Sequence, residues 1–238
     1  MKRLHLCCIV TIVFVSLTFM SAYAQPEEKD FRSNKHVMVL SGAFSTYGSD
    51  PAFGWELSYY RYLLPYVGVT GGIAYQNWGD NIDKPSFTAT DRRGFLFTLE
   101  DKGKLERLHC IVGLSLRTPS IKISKAEDYS LFLQCDPAML FTLPNEKFSY
   151  SRTYKEDNMA LKEWKTAKNH EGKCYFWRVK SSISLGIDNV ILSIGYIISN
   201  QDPFSGRRNV MFDGRKVSNG ISKHHFTHEF YLSAGYSF

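Results

Sequence analysis

The end of the chain alternates. From Phe226 onward, Phe226, Phe230, Leu232, Ala234, Tyr236 and Phe238 fall at every second position, with His228 the one exception in the row. Thr227, Glu229, Tyr231, Ser233, Gly235 and Ser237 stand between them. A strand sends successive side chains to opposite faces, so this pattern predicts a strand with one apolar and one polar side. The same period recurs upstream and predicts seven more strands, with no helical period between them. The first covers His36 to Tyr47. The second, Ala52 to Leu64, sets Phe53, Trp55, Leu57, Tyr59 and Leu63 against Gly54, Glu56, Ser58, Tyr60 and Tyr62. The third is Val67 to Asn77 and the fourth is near Leu105 to Arg117. The fifth, Ser130 to Leu143, contains Pro137, which removes a ladder hydrogen bond and predicts a bulge or local break. The sixth, Cys174 to Ile187, and the seventh, Val190 to Ser199, alternate most clearly.

The connections differ in length. Gly48 to Pro51, Pro65-Tyr66 and Asp188-Asn189 are tight turns built from turn-forming residues. Thr118 to Tyr129 is intermediate. Trp78 to Lys104, Pro144 to Lys173 and Asn200 to Lys223 are long and polar. Ahead of the strands, Lys2 and Arg3 precede an apolar run from Leu4 to Met20 and a small-x-small site at Ala22-Tyr23-Ala24. This predicts a secretory signal over 1–24 and a charged lead-in over 25–35, with residues 36–238 as the barrel domain. Beyond the signal there is no run of about 18 apolar residues for a transmembrane helix. A membrane crossing would therefore need a closed barrel, the remaining form that pairs every backbone amide inside hydrocarbon.

Two arrangements share this alternation: a membrane barrel with its apolar face outward, and a soluble lipocalin-like ligand carrier with that face inward. The loop lengths choose the first. If both chain ends lie on one side, two of the three turns on that side are very short, while three of the four connections on the other are long, as in membrane barrels. The polar face carries Glu56, Arg117, Asp136, Arg178, Lys180 and Glu229. In a narrow barrel these point inward and fill the interior, where Arg178 or Lys180 would pair with Glu229 or Asp136. Arg61 interrupts the outward row, but it lies beside the Pro65 turn, where a long side chain can reach headgroups.

The whole mature chain, on its strand rhythm, loop asymmetry and closing strand ending in Phe238, resembles the small OmpA/OmpX-like outer-membrane β-barrel proteins. The resemblance implies an eight-stranded antiparallel up-and-down transmembrane barrel in the outer membrane of a Gram-negative bacterium. It further implies insertion by the barrel-assembly machinery through Phe238, and contact with outer-membrane lipids and lipopolysaccharide. The expected role is non-enzymatic: structural support or interaction with an unidentified surface partner. A solute pore is disfavoured because eight strands leave little lumen.

Other chemistry adds less. Removing Lys2 and Arg3 leaves 27 basic against 23 acidic residues, a net of +4 that does not mark a nucleic-acid binder. Arg207, Arg208, Arg215 and Lys216 in the last loop form a candidate anion-binding group. Ser218 with His224, His225, His228 and Glu229 is similar to the serine-histidine-glutamate set of lipid A deacylases, a lipid-modifying alternative. That family's histidine two residues before the serine is Lys216 here, which weakens the match. His224 and His228 share a strand face and His225 does not, so the three do not converge on a metal; no metal and no cofactor is expected. Cys110 and Cys135 fall on consecutive strands at roughly facing positions, where a disulfide or two apolar-face thiols both fit. Cys174 leaves an odd number.

Overall fold

A computed structural model describes residues 36–47, 50–78, 87–90, 96–99, 106–123, 129–142, 147–156, 159–168, 173–205, 210–212, 215–217 and 225–238. The expected signal and lead-in lie outside them. Eight long strands form the barrel: β1 (His36–Tyr47), β2 (Asp50–Leu64), β3 (Val67–Asn77), β4 (Glu106–Arg117), β5 (Tyr129–Thr142), β6 (Tyr175–Ile187), β7 (Val190–Ser199) and β8 (Thr227–Ser237). Each pairs antiparallel with its neighbours in the chain. β8 pairs with β1 from Val37↔Ser237 to Ser45↔Glu229, so the sheet closes and has no edge. Closure leaves every strand paired on both sides, as a hydrocarbon environment demands.

The period-two pattern decides which side faces out. Along β2, Ala52, Gly54, Glu56, Ser58, Tyr60 and Tyr62 are buried and Phe53, Trp55, Leu57, Tyr59 and Arg61 are exposed. Among the described residues, 31 large apolar or aromatic side chains stand exposed against 15 buried hydrophobic residues. A water-soluble fold would hide such a belt, because apolar surface exposed to water costs about 25 cal/mol per Å². This wall faces lipid, and the fold is a transmembrane barrel. The inward-apolar, lipocalin-like arrangement is excluded by the same observation.

Two connections, Pro65-Tyr66 and Asp188-Asn189, are two-residue turns at one end, called here the turn end. Asp188 takes φ 51°, the left-handed conformation a tight hairpin requires and one that aspartate tolerates better than most residues. The opposite, loop end carries more strand than the polar composition predicted. Phe87–Thr90 pairs with Leu96–Leu99, Lys147–Glu156 with Met159–Lys168, and Val210–Phe212 with Arg215–Val217. The expected bend over Gly48 to Pro51 is shorter than predicted, since Asp50 pairs with Tyr47 and Pro51 with Thr46. In the connection after β4, Ile121–Lys122 pairs back onto β5.

Pro137 breaks one ladder without bulging the strand. β5 stays continuous and Pro137 pairs with Val179 of β6, while on the β4 side the pairing skips from Gly113↔Ala138 to Leu116↔Cys135 with register kept. Gly113 permits the close approach there: a Cβ on it would lie 2.5 Å from both the Ala138 Cβ and the Pro137 carbonyl oxygen. The one register shift between barrel strands β2 and β3 lies between Tyr62 and Leu64. Cys110 pairs with Phe141 and Cys135 with Leu116, so the two cysteines do not face each other. Both are free thiols, as is Cys174, and the disulfide option falls.

Candidate functional site

The inward positions fill the cylinder in three storeys. At the turn end, Arg117 lies over the Tyr62 ring with its guanidinium carbon 3.9 Å from the centroid, and its Nε donates to the Pro65 carbonyl at 3.2 Å. Val37, Val39, Tyr60 and Tyr62 pack into one buried cluster beside it. Aromatic rings and a stacked guanidinium close this end without leaving a charge unsupported.

The middle storey is ionic. Glu56 on β2 accepts from Arg178 Nη1 at 2.6 Å and from Lys180 Nζ at 3.1 Å, both on β6. The Ser58 hydroxyl donates to the same carboxylate at 2.6 Å, and Lys180 also donates to Ser41 Oγ at 2.8 Å. Lys180 Nζ further sits 4.3 Å above the Tyr231 ring. Asp136 takes its hydrogen bonds from neutral groups: Ser115 at 2.6 Å, Tyr60 at 3.1 Å and both its oxygens from Gln134. All of these charged side chains are buried, so each depends on such partners to offset its lost hydration.

Toward the loop end, Gln76 joins three strands. Its Nε2 donates to Glu229 Oε1 at 2.9 Å, and its Oε1 lies 3.1 Å from His109 Nε2. Gln201, in the first residues after β7, donates its Nε2 to the same Gln76 oxygen and reaches His109 Nε2 at 3.1 Å. Gln201, Asp202, Pro203 and Phe204 are all buried. Thr227 Oγ1 donates to the Gln201 carbonyl at 2.7 Å and Arg107 Nη1 to the Asp202 carbonyl at 3.2 Å. This segment folds into the mouth of the barrel above the apolar cluster of Ala74, Ile111, Ala138, Leu140 and Phe176. The small gap lined by Ala52, Gln76, Trp78 and Glu229 has room for no solute.

Glu56, Asp136, Arg178, Lys180 and Glu229 thus all lie buried in the interior, and Arg117 caps its turn end. The pairings differ from those expected. Arg178 and Lys180 converge on Glu56, because β2 and β6 present these side chains across the lumen rather than along the sheet. Adjacent-strand register, the only guide a sequence offers, does not reveal a contact across a lumen. Ser41, Ser58, Gln76 and His109 were findable as inward positions of the same period, whereas Gln201 belongs to a loop and carries no periodic signal. Of the anion-binding group, Arg207 and Arg208 lie outside the described residues. Arg215 and Lys216 sit on the short strand paired with Phe212 and Met211. Ser218 and His224 also lie outside them, and His228 is exposed, its Nδ1 2.6 Å from the Tyr196 hydroxyl on the outer wall.

No family model matches the chain, and neither does any curated protein. Among solved structures, it is similar to Ail, the attachment invasion locus protein of Yersinia pestis, at 13% identity and a TM-score of 0.35 over 86% of this chain and 99% of that one. A second structure of Ail, in complex with the heparin analogue sucrose octasulfate, gives 11% identity and a TM-score of 0.34 over 85% and 98%. Neisserial surface protein A gives 11% identity and 0.34 over 85% and 94%. The barrel described above rests on its own register and burial.

Proposed function

We propose that the protein is a non-conducting, non-enzymatic outer-membrane barrel that holds ordered hairpins outside the cell for contact with a surface partner. The observation that carries this is the filled interior between an apolar outer wall and a closed mouth. Glu56, Arg178 and Lys180 cross the lumen, and Gln201 to Phe204 plug the loop end. A cylinder occupied in this way supplies rigidity rather than passage. At its loop end, the Lys147–Glu156 and Met159–Lys168 strands pair over their whole length, from Met159↔Glu156 to Lys168↔Lys147, and supply a built surface for binding.

The turn end then faces the periplasm, the loop end faces outward, and lipopolysaccharide surrounds the outer half of the wall. Insertion runs through the barrel-assembly machinery by way of the closing strand and Phe238. Fractionation followed by a heat-modifiability gel tests the placement: the folded chain is expected in the outer membrane, migrating differently before and after boiling. Reconstitution into liposomes tests the rest, with no ion flux expected. Recovery of the chain in the aqueous fraction refutes the membrane placement, and a steady conductance refutes the closed interior. Replacing residues 147–168 by a two-residue turn is expected to leave the gel shift intact while removing surface binding.

A further inference from the structure

The lipid-facing wall is not smooth. Val67, Leu116, Cys135, Ser181, Tyr196 and Phe230 occupy one hydrogen-bonded row across six strands, from β3 to β8. The next outward row toward the turn end includes Leu133, Ile183 and Ile194. Between the rows runs a trough of about 740 Å³. It exists because Cys135 and Ser181 are small where neighbouring outward positions are bulky. The Ser181 hydroxyl donates to the Cys135 sulfur at 3.9 Å, so the floor needs no polar ligand.

The trough slants. It begins beside the Pro65-Tyr66 turn, where Tyr66, Arg117 and Thr118 line it, and ends at Phe230, seven residues from the turn-end limit of β8 at Ser237. Five strand spacings of roughly 4.8 Å make it about 24 Å long. At a strand tilt of about 35–45°, it climbs roughly 14–17 Å, half of a hydrocarbon core about 30 Å thick. Its low end has cationic company: Arg117 lines it while its guanidinium stacks on the Tyr62 ring, and outside the lining Arg61 and the exposed Lys122 stand at the same end of the barrel.

We propose that this trough holds one acyl chain of an anionic phospholipid from the periplasmic leaflet, with the phosphate at the Arg117 end and the tail rising toward Phe230. The length and slope match a chain running from interface to midplane, and the rim charge matches a phosphate. The inference rests on the membrane reading above, with the turn end periplasmic.

The test uses the full chain in nanodiscs containing phosphatidylglycerol with a diazirine near the end of one acyl chain. A spin label at Leu192 first reports whether the wall is shielded from water; water contact there defeats the membrane reading itself. With the wall shielded, photolabelling is expected to concentrate several-fold on Ser181, Ile183, Ile194 and Tyr196 over Leu57 and Val112 on other parts of the wall. Filling the trough with Ser181→Phe is expected to abolish that enrichment, whereas Ala234→Phe leaves it. Both variants should keep the heat-modifiable band, and Ser181→Leu replaces Ser181→Phe if the larger side chain prevents insertion. Even labelling around the barrel, or enrichment that survives the filled trough, overturns the proposal. So does a Cys135–Cys135 cross-link between two copies in place of lipid.

Discussion

Replacing Glu56 by glutamine removes one charge and almost no volume, and so isolates what the interior network contributes. Glu56 accepts from two cations and one hydroxyl, at 2.6, 3.1 and 2.6 Å. Its neutral isostere leaves Arg178 and Lys180 buried without their shared carboxylate. Removing one partner of a buried ion pair costs about 3–5 kcal/mol, because the cation left behind has lost its hydration already. Counting two charge-assisted hydrogen bonds at about 1.5–3 kcal/mol each gives a similar range. Urea unfolding of the chain refolded in detergent, followed by tryptophan fluorescence and the gel shift, is the assay. Glu56→Gln should lower stability by about 3–5 kcal/mol, whereas Arg61→Gln on the exposed wall should change it by less than about 0.5 kcal/mol. Pairing Glu56→Gln with Arg178→Met should cost less than the two changes summed, by about 1–3 kcal/mol, since the second substitution removes a cation the first has stranded. A Glu56→Gln barrel as stable as the parent would refute the account, because the cluster would then be hydrated rather than sealed.

Other positions separate the two faces of the wall and the close contacts within it. Leu232→Arg, at an exposed mid-strand position, should cost about 2–4 kcal/mol in the same unfolding assay, whereas Leu64→Arg at the turn end should cost about 0–1 kcal/mol. Gly113→Ala should destabilise by about 1–3 kcal/mol because its Cβ meets Ala138 and Pro137 at 2.5 Å. Gly71→Ala, whose nearest neighbour would be the Ile111 carbonyl at 3.8 Å, should be tolerated with little shift in the urea midpoint. Asp188→Gly should be neutral or stabilising by up to about 1 kcal/mol, since glycine takes φ 51° without strain; a loss of several kcal/mol would mean the aspartate side chain itself holds the turn.

The period-two alternation was enough to place eight strands, mostly to within a residue or two, and to divide them into apolar and ionic faces. Alternation is a local property, and a strand of about ten residues repeats it often enough to be read. The three hairpins at the loop end were not legible in this way. Strands such as Lys147–Glu156 and Met159–Lys168 lie in a stretch whose composition shows only polarity, and their backbone pairing emerges only in the structure. Pro137 was legible as a fault in the ladder, but that the fault would fall on the β4 side with register intact depended on which neighbour its missing N–H faced.

The sequence by itself determined that Glu56, Asp136, Arg178, Lys180 and Glu229 share the face opposite the apolar row, because side-chain direction follows from position along a strand. Only the closed tertiary structure decided that Glu56 would take both cations. Curling the sheet brings β2 and β6, 122 residues apart at Glu56 and Arg178, to opposite sides of one narrow lumen. The trough at Cys135 and Ser181 has the same origin. Two small residues, 46 apart in the chain, matter only once the register sets them side by side on the outside of the barrel.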